Sequence, residues 1–590
     1  MVTYSRRNLQ FILFEVLVIQ KLTEHEYYKA HDADTFNMVL DIAEDIAAKH
    51  LTPYFKESDQ NPPKLVDGKV KVHPGIKAYY NSFCKNGLMS AIFDQQYGGQ
   101  QLPKSVYGAS DFIIGCAHNG FEMFTGLSSA AARLIIAFGS KTLIDQYALK
   151  ILSGEYTATM CLTETQAGSA LSDVATIGML QPDGTYKIKG QKIFISAGDH
   201  DVTDNIIHLV LARTPGSPPG TKGLALFVVP TIINHLPNDV TSIGLYHKMG
   251  QKSTPAMHLE FGARDECIGE LIGEERKGLE YMFLMMNASR LGVGLGGTYI
   301  ASAAYNHSLQ YAKERIQGKR PGAKDSSPII QHPDVRRMLF YQKAIVEGSM
   351  GLLFYCYHLQ DKEIIATGDE KTKCEDLLEL LTPVAKTYGA EMGILAVQQG
   401  MQVLGGYGYT EDFILEQLAR DVRIMSIYEG TTGIQSQALL GRQVPLHQGR
   451  SLRYWREEVI QDIRQGLDIP PLKIYAHLLS EELFQYEAVT NHLLKMAKQN
   501  EIELFLSDAT LYMEYFGILN VAWQWLRQGL VAQRALSNTE NSADQSFYNS
   551  KLHTMKFYFH YELPKTKALV TRLMNSEVLT IWNANDEYLE

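Results

Sequence analysis

The stretch with the most chemistry in it runs Ile427, Tyr428, Glu429, Gly430, Thr431, Thr432, Gly433, Ile434, Gln435. One carboxylate, Glu429, stands between an aromatic ring and a glycine, with two hydroxyls behind it. A turn of this kind can keep a carboxylate from water while Gly430 leaves the backbone approachable. Desolvation lifts a glutamate above its usual pKa of about 4.3. The lifted group is a stronger base, which is what removal of a reluctant C–H proton demands. Read alone, such a stretch is more often an exposed loop glutamate than a base.

Three other stretches place polar groups at short spacing. Met160 to Ser169 contains Leu162, Thr163, Gly168 and Ser169. A hydroxyl and a Gly-Ser turn at the mouth of a β domain can offer donors to a planar ring, though alone this is an ordinary turn. Gln191 to Ser196 sets Phe194 two residues from Ser196 on one strand face; by itself Phe194 reads as core. Gln402 to Gly408 includes Gly405 and Gly406 and reads alone as a helix stop.

These stretches need elements to hold them. Residues 34–154 read as mostly helical, with Met38, Ile42, Ile46 and His50 at helix spacing. Asp67 and Gly68, flanked by valines, suggest a small hairpin. Near Ala158 the period changes to two. Tyr186–Lys189 and stretches of Lys192–Ser196 alternate, Gly190 stands between them, and short strand-like runs follow at Ile206–Ala212, Leu224–Val229 and Ala256–Phe261, a barrel or sandwich. From Lys277 the chain is helical again, in candidates of bundle length at 278–316, 333–358 and 382–404. Thr382 can cap the last and Pro383 suits its first position. The fold class is α+β. It comprises an N-terminal arm 1–33, a helical domain 34–157, a β domain 158–275, a helical bundle 276–447 and a further helical domain 448–590.

Composition narrows the function classes. The 590-residue chain is 45% hydrophobic, enough for several buried cores and too apolar for a disordered chain. Its net charge of −10 gives no overall basic field for nucleic acid or an anionic membrane. Residues 451–590, with 13 basic against 18 acidic side chains, carry −5, which disfavours a nucleic-acid-binding tail. Cysteines 84, 116, 161, 267, 356 and 374 form no CxxC pair, so neither a disulfide framework nor a metal site is expected, and a cytoplasmic location fits. Arg6 and Arg7 before an apolar run look like an export signal. Glu15 interrupts that run, which is too short for a transmembrane segment and reads as a docked helix.

In their order, the four stretches resemble the acyl-CoA dehydrogenase family. They match its T-E-x-x-A-G-S turn, G-Q-K-x-[WF]-I-[TS] strand, Q-x-L-G-G-x-G turn and I-Y-E-G-T segment. Tyr97 to Pro103 resembles the family's Y-G-G-x-x-L-P connector. The likeness runs from about residue 35 to 445, and the arm and extension resemble the family's larger branch of roughly 600 residues.

The resemblance implies FAD. Met160, Leu162, Thr163, Gly168, Ser169, Phe194 and Ser196 would line it. Arg315 would reach the FAD of a partner subunit, implying a homodimer. Gln402, Gly405 and Gly406 would approach the cofactor, and Thr431 its adenine end. It also implies an acyl-CoA substrate that loses an α-proton to Glu429 and a β-hydride to the flavin, as in fatty acid β-oxidation. The product is a trans-2-enoyl-CoA, and an electron-transfer flavoprotein takes the electrons. The Glu429 N–H would polarise the thioester oxygen. Ser169, Asn287, Arg290, Tyr428 and Gly430 would contact substrate.

The chain departs from the family pattern in places. Family members that carry the base on another helix have it where Ser289 stands, and a serine without an activator is no base. Asn287 replaces the usual acid of the substrate-contact pair. Gln317 and Gly318 follow Arg315 where a phenylalanine is common, and Gly433 stands where a glutamine is common. Gly292 to Gly297 matches G-x-G-x-x-G, but a helix precedes it where a dinucleotide site needs a strand, so close helix packing is expected. The rivals are an acyl-CoA oxidase using dioxygen and a DNA-associated flavoprotein of the same superfamily, the latter opposed by the acidic C-terminal segment.

Overall fold

The computed structural model describes residues 3–582. The chain divides into two compact units. One comprises Thr23–Gly292 and Glu416–Ile424; the other comprises Met1–Leu22, Val293–Leu415 and Met425–Glu590.

The first unit joins a helical domain to a β domain. Its helices include Ala33–His50, Pro74–Lys85, Lys104–Ala117 and Asn119–Phe138. Asn119–Phe138 is long and apolar enough, by length and composition, to cross a membrane. Its Ala131, Ala132, Leu134 and Ile135 are core residues of this unit. Helix Ala33–His50 buries Phe36, Val39, Leu40, Ala43 and Ile46, while Met38 is exposed. The expected helix is present, but its apolar stripe lies on a face one residue away.

The strands are β1 (Lys64–Val66), β2 (Lys69–Lys71), β3 (Tyr156–Cys161), β4 (Ile177–Leu180), β5 (Tyr186–Ser196), β6 (Asn205–Arg213), β7 (Leu224–Pro230), β8 (Ile232–Ile233), β9 (Leu236–Pro237), β10 (Val240–Leu245), β11 (Ala256–Phe261) and β12 (Ile268–Leu271). The first two form the hairpin expected at Asp67 and Gly68. The main sheet has the order β10-β11-β5-β12-β7-β6-β3, with β4 beside β5 and β6. The β3–β6 pair is parallel. Alternation divides the central strands between two cores. Ile207, Leu209, Leu211, Leu224, Leu226 and Val228 pack in the core that includes the helix residues above. Val210, Ala212, Ala225, Phe227 and Val229 fill the other side of the sheet. Strands covered on both faces must be apolar throughout, which explains the uninterrupted run from Leu224 to Val229.

The second unit is helical. It takes the C-terminal part of helix Gly278–Glu314, then Pro333–Ile365, Gly368–Leu404 and four long helices from Leu446 to Tyr561. Helix Ala509–Leu536 is buried nearly all round and serves as an axis. Its indoles keep polar partners: Trp523 Nε1 donates to Asp462 at 2.7 Å and Trp525 Nε1 to the Ala344 carbonyl at 3.0 Å. The N-terminal arm docks in this unit through the fully buried Phe11 and through Asn8, whose Oδ1 accepts from the buried Lys551.

Two sequence signals resolve differently in kind. Helix Gly368–Leu404 does not begin at Thr382 and Pro383 but contains them, with Thr382 Oγ1 donating to the Leu378 carbonyl at 2.7 Å. Leu377, Leu380, Leu381, Val384 and Ala385 are all buried. That burial outweighs the hydrogen bond the proline omits. The G-x-G-x-x-G stretch lies inside helix Gly278–Glu314. A Cβ on Gly294 would stand 2.5 Å from the Ala385 carbonyl oxygen, and one on Gly297 2.2 Å from that of Gly389. The glycines let two helix backbones touch, as expected.

Candidate functional site

The predicted cofactor-lining residues of the first unit meet around one buried ion pair. Glu164 and Lys192 approach to 2.8 Å with side chains 5% and 0% exposed. Glu164 also accepts from Gln166 Nε2, the Ala175 and Thr176 N–H groups and the Thr176 hydroxyl. Lys192 Nζ donates a second bond, 2.9 Å, to the Leu162 carbonyl. Burial pushes the Glu164 carboxyl up, but the Lys192 charge and these donors outweigh it and hold it below its ordinary value. Burial lowers Lys192 in turn. The pair stitches the turn after β3 to strand β5.

That stitch sets the turn's shape. Glu164 and Ala167 exchange two backbone hydrogen bonds of 3.0 Å. The loop thus closes and presents Gly168 and Ser169 to solvent. A Cβ on Gly168 would meet nothing within 4 Å, so the space over it is open. Thr163 and Met160 are half-buried, and Leu162 is buried. The Thr163 carbonyl accepts from the Ile193 N–H at 2.9 Å.

Strand β5 does not keep simple alternation there. Ile195 pairs with Met257 and Lys192 with Leu259, so Ile193 and Phe194 together oppose one residue of β11. This is a β-bulge, a device that re-aims a side chain. Phe194 adopts φ +57° and is 59% exposed, its ring 4.5 Å from that of Tyr246. Phe194 is therefore a presented aromatic and not core, while Ser196 is half-buried. On the helix that starts at Gly278, Arg290 Nη1 donates to Asn287 Oδ1 at 2.9 Å, which joins the expected substrate-contact pair.

The second unit holds the other predicted residues. Helix Gly368–Leu404 stops at Gly405, with φ +61°. Gln402, Gly405 and Gly406 are exposed, and no atom lies within 4 Å of a Cβ placed on either glycine. Gly408 differs, because a Cβ there would strike the Met401 carbonyl oxygen at 2.2 Å. The first two glycines leave room for an approaching group; the third closes the turn. Arg315 is exposed one residue past its helix, where its carbonyl accepts from the Ile329 N–H at 2.8 Å.

Glu429 sits half-buried in a turn with two left-handed residues in succession, Glu429 at φ +54° and Gly430 at φ +91°. A non-glycine residue in that region is strained and needs its surroundings to hold it there. The surroundings are specific. Gln435 Nε2 donates to the Glu429 carbonyl at 3.3 Å, and Lys386 Nζ to the Gly430 carbonyl at 2.8 Å. The Thr432 hydroxyl donates to Glu391. Thr431 Oγ1 caps the following helix by accepting from the Ile434 N–H at 3.3 Å. The Tyr428 hydroxyl lies 3.1 Å from Met425 Sδ.

Glu164, Lys192, Lys386, Glu391 and Gln435 were not among the residues singled out by sequence. Glu164 and Lys192 lie inside the recognised motifs, where their letters were visible but their pairing was not. Lys386 and Glu391 precede the turn by some forty residues and carry no local signal. Among the described residues no cluster of three or more metal-ligating side chains occurs, and all six cysteines are free thiols.

Comparison with known proteins gives the chain its relations. Residues 33–155, 159–263 and 276–443 match the N-terminal, middle and C-terminal domain models of acyl-CoA dehydrogenases. Residues 457–581 match the acetyl-CoA dehydrogenase C-terminal-like model. The 3-methylmercaptopropionyl-CoA dehydrogenase of Ruegeria pomeroyi is 33% identical over 582 residues, 97% of each chain. The broad-specificity linear acyl-CoA dehydrogenase FadE5 of Mycobacterium tuberculosis is 32% identical, over 96% of this chain and 97% of its own. In fold, the chain superposes on the acyl-CoA dehydrogenase of Bacillus anthracis, solved with FAD, with a TM-score of 0.73 at 20% identity, covering 92% of this chain and 88% of that one. Four family models in unbroken order, and a third of all positions shared along nearly the whole length, mean that the chain belongs to the acyl-CoA dehydrogenase family.

Proposed function

We propose that the protein carries out α,β-dehydrogenation of an acyl-CoA thioester to the trans-2-enoyl-CoA, with FAD as cofactor and Glu429 as base. The observation that carries this reading is the Glu429–Gly430 turn. Two residues in left-handed backbone are held by side chains from neighbouring helices, and Glu429 itself is half-buried.

The residues present fit a flat cofactor. Phe194 is thrust outward on a bulge, Gly168 has no neighbour where a side chain would stand, and the same openness recurs at Gly405 and Gly406. Met160, Leu162, Thr163, Gly168, Ser169, Phe194 and Ser196 would hold FAD, and Gln402, Gly405, Gly406 and Thr431 are read as cofactor contacts as well. When bound, FAD supplies the acceptor for the hydride leaving the substrate β-carbon. Glu429 takes the α-proton onto a carboxylate oxygen. A thioester α-proton is far less acidic than a carboxylic acid, so negative charge developing on the thioester oxygen must be met by a fixed donor. The Glu429 N–H fills that role, supported by hydrogen bonds to the 429 and 430 carbonyls that fix the two peptide planes following it. Asn287 and Arg290 hold the CoA portion, and Ser169, Tyr428 and Gly430 flank the substrate.

Arg315, exposed beyond its helix, is read as reaching the FAD of a second copy in a cytoplasmic homodimer. The electrons pass to an electron-transfer flavoprotein. The names of the relatives make 3-methylmercaptopropionyl-CoA, butyryl-CoA and longer linear acyl-CoAs the panel to screen. The decisive experiment is Glu429→Gln in the holoenzyme. Flavin and substrate binding should persist while anaerobic flavin bleaching slows at least ~100-fold. Near-normal bleaching rejects the assignment. Turnover with a ferricenium-type acceptor, compared with peroxide release in air, separates a dehydrogenase from an oxidase.

A further inference from the structure

We infer that Lys386 is a positioning residue for the base, and that the glycine seam between two long helices exists to keep it in place. The inference rests on the reading of Glu429 as base. Lys386 lies on helix Gly368–Leu404 with its side chain fully buried, and its Nζ reaches the Gly430 carbonyl at 2.8 Å. An ammonium is costly to bury, and a hydrogen bond to a charged donor is stronger than one between neutral groups. The contact falls on the Gly430–Thr431 peptide, directly after the two left-handed residues Glu429 and Gly430. Glu391, five residues further along the same helix, takes the hydroxyl of Thr432. One helix thus grips the turn at two points, on either side of Thr431.

Such a grip is only as accurate as the helix that carries it. That helix touches the Gly278–Glu314 helix backbone to backbone. A Cβ on Gly389 would stand 2.3 Å from the Gly294 carbonyl oxygen, and one on Gly393 2.5 Å from that of Gly297. Together with the reciprocal contacts of Gly294 and Gly297, these leave no room for the helices to slide or roll past each other. Lys386 is next to Ala385 and one turn from Gly389, so it sits at the N-terminal end of the seam. The C-terminal extension braces the same turn of helix. The Tyr388 hydroxyl meets that of Tyr558 at 2.9 Å, and Gly517 lies so close that a Cβ there would reach Tyr388 Cδ2 at 2.8 Å. A G-x-G-x-x-G stretch that binds no dinucleotide thereby acquires a purpose. It allows close contact in the place where a long-range side chain must be aimed to a fraction of an ångström.

The test uses FAD-loaded protein and rapid anaerobic mixing with the best acyl-CoA of the screen. Three quantities are read for each variant: the limiting rate of flavin bleaching, the acyl-CoA Kd and the unfolding midpoint. Lys386→Met should slow bleaching on the order of 10- to 100-fold, with Kd and flavin content unchanged. Lys386→Arg, which keeps the charge and a donor, should recover part of the rate. Thr432→Val, which releases only the second grip, should give the same split in smaller measure. It also carries the test if Lys386→Met does not fold. A wild-type rate in Lys386→Met, or a rate that falls only in step with Kd, flavin loss and midpoint, overturns the inference. Glu429→Gln is run alongside. If it is fast, the base assignment fails; if it is slow while the Lys386 and Thr432 variants are fast, only the positioning role fails.

Discussion

Two turns in this protein each hold a glutamate beside a buried lysine, and they use the pair in opposite ways. In the turn after β3, Glu164 is 5% exposed and accepts five hydrogen bonds, one of them from Lys192. Its acceptor capacity is spent on structure. In the turn at 427–432, Lys386 grips a backbone carbonyl, the clamp's carboxylate Glu391 takes a threonine, and Glu429 remains half-exposed. Both lysines donate to a main-chain carbonyl at nearly the same distance, 2.9 Å for Lys192 and 2.8 Å for Lys386. A glutamate enclosed by donors is a stable anion and a poor base. In the turn at 427–432 the buried lysine instead fixes the backbone beside Glu429.

The contrast is open to attack at several strengths. The largest effect on stability belongs to Glu164→Gln. It strands Lys192 in the interior, and losing one partner of a buried pair costs about 3–5 kcal/mol. Denaturant unfolding of the FAD-free protein should show it. Glu429→Gln should leave the same unfolding curve nearly untouched and act on rate, at about 3 kcal/mol for a ~100-fold loss. If the two variants exchange phenotypes, the division of labour is wrong.

Gly430→Ala comes next. Its φ of +91° disfavours any side chain, and a Cβ would lie 2.2 Å from Gln435 Nε2. The expected penalty is about 1–3 kcal/mol, shared between stability and bleaching rate. An unaltered rate would show that the turn tolerates movement.

pH separates the two glutamates further. The folded Glu164 carboxyl is held below its ordinary value of 4.5, so the unfolded chain binds its proton first as pH falls. Its stabilising contribution is therefore complete above about pH 4.5 and drains away as pH drops through the lower folded value. In acid titrations of stability, Glu164→Gln should lose that part of the slope, whereas Glu429→Gln should keep it. The smallest effect is expected from Gly406→Ala. Open space above it predicts a stability change within about 0.5 kcal/mol, but weaker retention of FAD measured by flavin release.

Much of this was legible in the residues. The hairpin at Asp67 and Gly68, the short strands between Tyr186 and Phe261 and the stop at Gly405 are local events, decided by turn chemistry and side-chain period over a few residues. What misled was local as well. Thr382 and Pro383 carry every mark of a helix start, yet burial of the leucines around them carries the helix through. Met38 fits the spacing of an apolar stripe, but the core lies on a neighbouring face of its helix. Phe194 fits a core position until the bulge turns it out.

By itself the sequence determined the order of helical and β segments, the four motifs and the one carboxylate that matches the family's base. Those follow from short-range spacing, and short-range spacing is what a linear chain displays. Only the tertiary structure decided that Glu164 is tied up in an ion pair, which lysine grips the turn at Gly430 and why two helices need bare glycines. The reason is physical: hydrogen bonds and burial join groups such as Lys386 and Gly430 across distances in sequence at which neither residue type announces the other.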